Sequence, residues 1–172
     1  MVPMEKSNSH NDAVLCFRVS NITLGISAFL VERILPAVEI SPLPGAPPVV
    51  SGAFLLEKRI VPVADLRKHL HLRTRELSLS DRIILVNTGE LSIGLLADEV
   101  IGITMIENEG FYDPSNALSS TEELPKGIEI IDNEMILIQD LKTFLSSSEV
   151  EKLKAAIIKK LDKRNTTAAV KT

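Results

Sequence analysis

Residues 49–66, VVSGAFLLEKRIVPVADL, contain the pattern that decides the fold. Two apolar runs, at 53–56 and 60–64, flank a charged trio. Such runs on either side of a polar break predict a β-hairpin, although no Asn-Gly or Gly-Gly pair marks the turn. Gly52 is typical of a bulge or a close backbone approach. Pro62 predicts an edge or bulged second strand, because proline has no N–H for a central ladder.

Short apolar runs of strand length also occur before and after this hairpin. They lie at 13–19, 22–27, 31–35, 82–88, 91–97, 100–107, 128–131 and 135–138. The stretch 28–35 also fits helical spacing, and we expect a brief turn at 28–30 before the strand at 31–35. Asp65 is the expected N-cap of a short helix that ends at Leu72. Many short strands at regular spacing predict barrels or a sandwich. The polar link at 73–81 divides them into two groups, which favours two small barrels: a first lobe mainly at 22–72 and a second mainly at 82–138.

The last part of the chain predicts a helix. Ser148 and Glu151 match a capping box, and apolar residues follow at helical spacing. We expect an amphipathic helix at 148–165 that packs on the body, with partner binding as the alternative role. Residues 1–12 are expected to form a flexible leader and 166–172 a fraying tail.

Composition limits the class of protein. The 172 residues carry a formal net charge of −4 and a pI of about 5.4, which argues against nucleic acid as a partner because phosphate binding favours a basic surface. The single cysteine, Cys16, excludes an intramolecular disulfide. The first residues lack a secretory signal pattern, and the apolar runs are far shorter than the ~20 residues that span a bilayer. We therefore predict a soluble, cytoplasmic protein with no direct membrane insertion.

Candidate catalytic and metal-binding residues are few. His69 and His71 have the only metal-like spacing, but the surrounding pattern is helical and no third ligand is evident nearby. Cys16 lies in an apolar run, which favours a buried and unreactive thiol. Phosphate-loop, dinucleotide-binding and nucleophile-elbow motifs are absent. The residues alone therefore predict a β-rich interaction module without catalytic residues, cofactor or metal, and an enzyme or a small-ligand-binding barrel is the alternative.

A series of short motifs resembles the CheW domain of bacterial chemotaxis coupling proteins. These motifs are Gly25-Ile26, Pro44 and Pro47, Gly52, Ile60-Val61-Pro62-Val63, Asp65-Leu66-Arg67, and the run IGLLADEV at 93–100. The segment IEIIDNEMILIQDLKTFL at 128–145 is similar to the closing hairpin and final turn of the family. Because the order and spacing of the motifs extend over about 13–145, we expect a CheW-like domain at 13–147.

The resemblance implies a mainly β fold of two SH3-like five-stranded β-barrels packed side by side, followed here by the C-terminal α-helix. It implies a non-catalytic adaptor that couples chemoreceptors to a CheA-type histidine kinase in chemotaxis or chemotaxis-like signal transduction. The implied partners are the regulatory domain of the kinase and the cytoplasmic tip of methyl-accepting chemoreceptors, so the adaptor would be recruited to membrane-associated receptor arrays. In the family an apolar groove between the barrels contacts the receptor, and the barrel ends contact the kinase. A divergent protein that binds the kinase without coupling receptors is the alternative.

The sequence departs from the family pattern within the hairpin at 49–66. Glu57 and Lys58 stand where the family usually has Arg and Gly, and Arg33 stands where it usually has Glu. Two charged partners are thus exchanged, and we predict an Arg33–Glu57 ion pair of reversed polarity, with two solvated side chains as the alternative. Loss of one partner would cost about 3–5 kcal/mol if the pair were buried, whereas an exposed pair contributes less than ~1 kcal/mol.

The resemblance also implies a set of residues that contact partners. The candidates are Val31, Arg33, Gly52, Glu57, Val63 and Asp98. For Gly52 and Asp98 a purely structural role is an equal alternative.

Overall fold

The computed structural model describes residues 13–106, 111–112 and 127–170. The predicted leader at 1–12 lies outside the described residues, as does most of the irregular segment expected at 108–126.

The described chain is built mainly from β-strands. The strands are β1 (Ala13–Val19), β2 (Ile22–Ser27), β3 (Val31–Pro36), β4 (Val50–Leu56), β5 (Arg59–Ala64), β6 (Arg82–Asn87), β7 (Ser92–Ala97), β8 (Glu99–Met105), β9 (Phe111–Tyr112), β10 (Gly127–Ile131) and β11 (Glu134–Ile138). The helices are a 3-10 turn at Ala28–Leu30, α1 (Leu66–His69) and α2 (Ser147–Val170). The hairpins expected at β4–β5, β6–β7 and β10–β11 are all present, because each has apolar runs of strand length beside a short polar turn.

The strands form two sheets with related topology. The five-stranded sheet has the order β3-β6-β7-β5-β4, and the six-stranded sheet has the order β8-β1-β2-β11-β10-β9. The sixth strand is the two-residue β9, so each sheet has five strands of ordinary length. Each sheet contains one parallel pair of strands among antiparallel pairs. It is β5 with β7 in the five-stranded sheet and β2 with β11 in the six-stranded sheet.

The division between the sheets differs from the expected division at the polar link. The chain starts in the six-stranded sheet with β1 and β2, crosses to the other sheet for β3 to β7, and returns with β8. The expected groups, 22–72 and 82–138, therefore do not coincide with the sheets. Hairpin pairing has a local signal in the sequence, whereas the β5–β7 and β2–β11 pairs connect strands far apart along the chain and have none.

The main core lies between the two sheets. Phe17 and Leu24 contribute to it from the six-stranded sheet, and Ile84 and Leu95 from the five-stranded sheet, all with no exposed surface. A separate apolar cluster lies on the other face of each sheet, with Val63 in one of them. Strands with apolar side chains on both faces are typical of sheets that are covered on both sides, which explains the unbroken apolar runs.

The strand that contains Pro62 was expected to be an edge strand or a bulged strand, and it lies in the interior of the sheet, in a pair with a register shift on the β4 side. Strand β5 lies between β4 and β7. Its pairing with β7 begins only at Val63. Pro62 is paired with Ala53 of β4 and has no paired residue in β7. The missing N–H of the proline therefore interrupts no hydrogen bond to β7.

The C-terminal helix begins earlier and ends later than expected. Its capping box consists of Ser146 and Glu149: the Glu149 N–H donates to Ser146 Oγ at 3.3 Å, and the Ser146 N–H donates to Glu149 Oε2 at 2.8 Å. The prediction of a capping box at Ser148 and Glu151 was wrong. A serine three residues before a glutamate occurs twice here, because three serines stand in a row. Leu153 is fully buried in the main core, so the helix packs on the body as predicted.

Candidate functional site

The structure brings Arg33 and Glu57 together. Arg33 Nη2 donates to Glu57 Oε1 at 3.0 Å, with 47% and 62% of the two side chains exposed. Arg33 lies on β3 and Glu57 follows β4, and these strands are the two edges of the five-stranded sheet. The ion pair therefore bridges the edges of this sheet on its solvent-exposed side, where a partner can reach it.

The turn that carries Glu57 has an unusual backbone. Glu57 has a φ of 47° and Lys58 a φ of 70°, and together they form the two-residue loop between the paired residues Leu56 and Arg59. Positive φ at both central residues is typical of a type I′ turn, which favours Asn and Gly. Glu and Lys adopt this conformation at a cost of roughly 1 kcal/mol each, because the Cβ atom crowds the backbone.

Gly52 is required by a close approach of two chain segments. A Cβ atom at this position would lie 2.6 Å from Ile40 Cγ2 and would also contact the carbonyl of Ser41. The strand has a register shift here, and Ser41 and Ala53 form an isolated bridge beside it. The bulge or close approach predicted at Gly52 is confirmed, and the residue has a structural role.

Val31 and Val63 differ in their access to solvent. Val63 has no exposed surface and packs between the strands, so it cannot contact a partner directly in this conformation. Val31 is half-buried at the start of β3. Beside it, Phe29 is 82% exposed and Ile34 is 45% exposed. The β3 edge therefore presents apolar side chains next to the exposed ion pair.

Asp98 belongs to a charge network at the junction of the two sheets. Its carboxylate accepts from the backbone N–H of Ser20 at 2.7 Å, from Arg75 Nη2 at 2.8 Å, and from Arg67. Ser20 lies in the β1–β2 turn of one sheet, while Arg67 lies in α1, which follows β5 of the other. Arg67 is 2% exposed and also donates to Asp65, the N-cap of α1, at 3.2 Å.

The same network extends to Asp81. Arg75 donates to both carboxylate oxygens of Asp81, at 2.7 and 2.9 Å, and the Ser78 N–H donates at 2.8 Å. Burial alone would raise the pKa of Asp81, but these hydrogen bonds and the charges of Arg75 and Arg67 together hold it below its ordinary value. The polar link at 73–81 is thus fixed to the sheet junction by ion pairs.

Sequence reasoning missed most of this network. Asp65 was identified as a helix cap, which the structure confirms with a hydrogen bond of 3.0 Å from the Arg67 N–H. Arg75 and Asp81 have no signal beyond their charge in a polar segment. The motif Asp65-Leu66-Arg67 was a usable signal, because an arginine that is buried must find carboxylate partners and Asp65 lies only two residues away.

A cleft of about 260 Å³ opens on the six-stranded sheet, with Cys16 and Thr23 in its lining. The Thr23 hydroxyl and Arg18 both bind Glu134 at this cleft and lower the pKa of its carboxyl. Burial, together with the Glu134 charge, raises the pKa of the Cys16 thiol. Cys16 is buried, as the sequence predicted, and a raised pKa disfavours the thiolate form that acts as a nucleophile.

The two histidines have no evident metal-binding geometry. The His69 ring packs edge-on against Phe144, with the ring centroids 4.9 Å apart. His71 follows α1 with a φ of 55°. In the described part of the chain, no three His, Cys, Asp or Glu residues are grouped closely enough to hold a metal ion.

Within the residues that the structure describes, none of the helices combines the length and the apolar character needed to span a membrane.

Comparisons with known proteins agree with this architecture. A family model described as the CheW-like domain matches residues 13–149. A chemotaxis protein CheW of Treponema pallidum is 25% identical over 157 residues, which cover 88% of this chain and 92% of that protein. Protein FrzA of Myxococcus xanthus is 31% identical over 91 residues, which cover 53% of this chain and 57% of that protein.

A solved structure is similar as well. The crystal structure of the scaffolding protein TtCheW from Thermoanaerobacter tengcongensis matches with a TM-score of 0.70 at 25% sequence identity, over 81% of this chain and 95% of that one. Its two-domain SH3-like fold corresponds to the two sheets described above. The resemblance in fold that the short motifs implied is thus confirmed, and with a family match at 13–149 the chain belongs to the CheW-like domain family.

Proposed function

We propose that this protein is a non-catalytic adaptor that couples chemoreceptors to a CheA-type histidine kinase in chemotaxis or chemotaxis-like signalling. The observation that carries the proposal is the match of the CheW-like domain model to residues 13–149, together with the similarity to a scaffolding protein of the same fold. An adaptor of this kind changes kinase output by making different contacts in two states of the receptor.

The proposed partners are the regulatory domain of the kinase and the cytoplasmic tip of methyl-accepting chemoreceptors. Binding to both would place the protein in the cytoplasm at membrane-associated receptor arrays. Neither alternative, a kinase-binding spacer or an enzymatic or small-ligand-binding barrel, is favoured by the comparisons.

We further propose that the Arg33–Glu57 pair forms part of a partner-binding surface. The pair is exposed, and the adjoining β3 edge presents Phe29 and Ile34 to solvent. Apolar anchors beside charged groups are typical of protein interfaces. Charges at such a surface mainly determine partner choice and association rate, so the reversed polarity would select a partner with a complementary exchange of charge.

The other candidates have indirect roles in this proposal. Gly52 and Val63 are buried cross-strand partners in β4 and β5 of the sheet that carries the exposed pair. Asp98 holds the junction of the two sheets, and therefore the shape of any groove between them. Val31 and Arg33 are the candidates of β3 that a partner can contact.

Reconstitution from purified components tests the proposal. The protein is mixed with the CheA-type kinase and a receptor signalling fragment from the same organism, and complex formation is measured by sedimentation together with kinase activity. A ternary complex with receptor-dependent kinase activity is expected. Binding of the kinase without the receptor would support the spacer instead, and binding of neither would overturn both.

Charge variants in the same assay test the proposed surface. Arg33→Glu is expected to weaken the complex by roughly fivefold or more, because exposed interfacial charges contribute on the order of 1 kcal/mol. Arg73→Glu is a matched control, since Arg73 is an exposed residue of the polar link at 73–81 and belongs neither to β3 nor to the β4–β5 turn. Equal effects of the two variants would contradict a specific role for Arg33.

A further inference from the structure

The C-terminal part of the chain has a charge opposite to that of the rest. Residues 147–172 hold seven Lys and Arg against three Asp and Glu, whereas residues 1–146 hold twelve against twenty. Helix α2 begins at Ser147 and lies almost entirely beyond the family match, which ends at 149. The proposed coupling function therefore does not explain this basic helix.

A groove runs between α2 and the β4–β5 hairpin. It encloses about 200 Å³. Its floor is apolar and includes Leu55 and Ile60, which are direct partners across the hairpin. Leu55 is 51% exposed although it is a large apolar residue. One wall consists of the α2 residues Lys160 and Arg164.

The two basic residues are placed to bind carboxylates. They are four positions apart, so their side chains lie one above the other on the same face of α2, about 6 Å apart. Lys160 Nζ donates to the carbonyl of Pro42 at 3.3 Å, which holds it over the groove. In the part of the chain that the structure describes, neither Lys160 nor Arg164 forms an ion pair with a carboxylate.

We propose that this groove docks an acidic amphipathic helix of a partner protein. An apolar side chain of that helix would pack on Leu55 and Ile60, and two carboxylates one helical turn apart would bind Lys160 and Arg164. Charge complementarity favours an acidic segment, and carboxylates on a helix reproduce the one-turn spacing of the two cations. Leu153 and Ala156 of α2 are buried in the main core, and Ile158, at 58% exposed, is the one large apolar side chain that is mostly exposed within 147–166, which is too little apolar surface for insertion into a lipid surface.

A synthetic peptide tests the proposal without any kinase or receptor. The probe is a helical peptide with a leucine flanked by glutamates four residues apart, and its counterpart carries lysines in place of the glutamates. Binding to the full-length protein is followed by NMR chemical-shift changes of backbone amides. The acidic peptide is expected to bind and to shift Leu55, Ile60, Lys160 and Arg164, and its affinity is expected to fall as salt is added.

Charge reversal with a matched control makes the test specific. The double variant Lys160→Glu, Arg164→Glu is expected to weaken binding about tenfold or more, since two charge contacts become repulsive. The control Lys152→Glu, Lys159→Glu makes the same change in net charge at exposed positions of the same helix, outside the groove, and is expected to change the affinity less than about twofold. Leu55→Ser is expected to weaken binding as well, without loss of fold, because half of the side chain is already exposed.

Several results would overturn the proposal. If both double variants weakened peptide binding equally, the peptide would be attracted by the total positive charge of α2 and would not dock in the groove. Absence of saturable binding, or equal binding of the lysine peptide, would exclude an acidic helix. A dimer in analytical ultracentrifugation that the Lys160→Glu, Arg164→Glu variant abolishes would identify a second copy as the occupant. Sedimentation with anionic phosphatidylglycerol vesicles, without peptide binding, would identify a lipid surface.

Discussion

Arg33 and Glu57 show how two departures from a family pattern explain each other. Each residue alone replaces the usual charge with its opposite, yet their side chains lie 3.0 Å apart and the pair is electrostatically matched. Sequence comparison identified the two positions, because both departures occur at recognisable motifs. The exposure of the pair depends on how the two edge strands of the five-stranded sheet, β3 and β4, approach each other, and a single sequence does not show this.

A double-mutant cycle measures the energy of this pair. Arg33→Glu and Glu57→Arg are each expected to destabilise the protein slightly, and the double variant is expected to recover most of the loss. The coupling energy should be less than ~1 kcal/mol, because both side chains are about half exposed and water screens their attraction. The free energy of unfolding is obtained from urea denaturation of all four proteins. Strict additivity of the single variants would exclude an interaction, and a coupling of several kcal/mol would show that the pair is buried.

At the scale of elements, strands and hairpins could be predicted well and their ends less well. The centre of the run at 82–88, residues 83–86, is apolar and forms the middle of β6, where the side chains are buried on both faces. The start of α2 was misplaced because serines at 146, 147 and 148 all have cap-forming side chains. The chain selects Ser146, since Phe144 and Leu145 are buried immediately before it and determine where the helix can begin.

The β4–β5 turn contains a stability defect that a single substitution should relieve. Lys58 has a φ of 70°, a conformation that glycine adopts without strain. Lys58→Gly is therefore expected to raise the free energy of unfolding by up to about 1 kcal/mol. The measurement is urea denaturation followed by circular dichroism.

The matched control for this prediction is Lys68→Gly. Lys68 is an exposed lysine in α1, where glycine is expected to cost about 1 kcal/mol. Opposite signs for the two substitutions would support backbone strain at Lys58. Destabilisation by both would show that the side chain of Lys58 contributes more than its backbone strain costs.

At the scale of the whole molecule, the sequence predicted two lobes but not how the chain divides between them. Five-stranded and six-stranded sheets are both built from the hairpins that local patterns predict. The junction between them is held by Asp98, which accepts hydrogen bonds from Ser20 on one side and Arg67 on the other. These contacts join residues distant in sequence, so no local pattern predicts them.

The ion pairs at this junction make the stability of the molecule sensitive to acid. The folded state lowers the pKa of Asp81, so folding favours its ionised form. The stabilisation is fully present above the unfolded pKa of about 3.9 and is lost as the pH falls through the lower folded pKa. Asp81→Asn is expected to cost about 1–3 kcal/mol at pH 7, because it removes the carboxylate that binds both Nη atoms of Arg75. In urea denaturation the difference from the unsubstituted protein should shrink steadily below about pH 4. A difference that stays constant down to the lowest accessible pH would show that ionisation of Asp81 does not contribute to the stability of the junction.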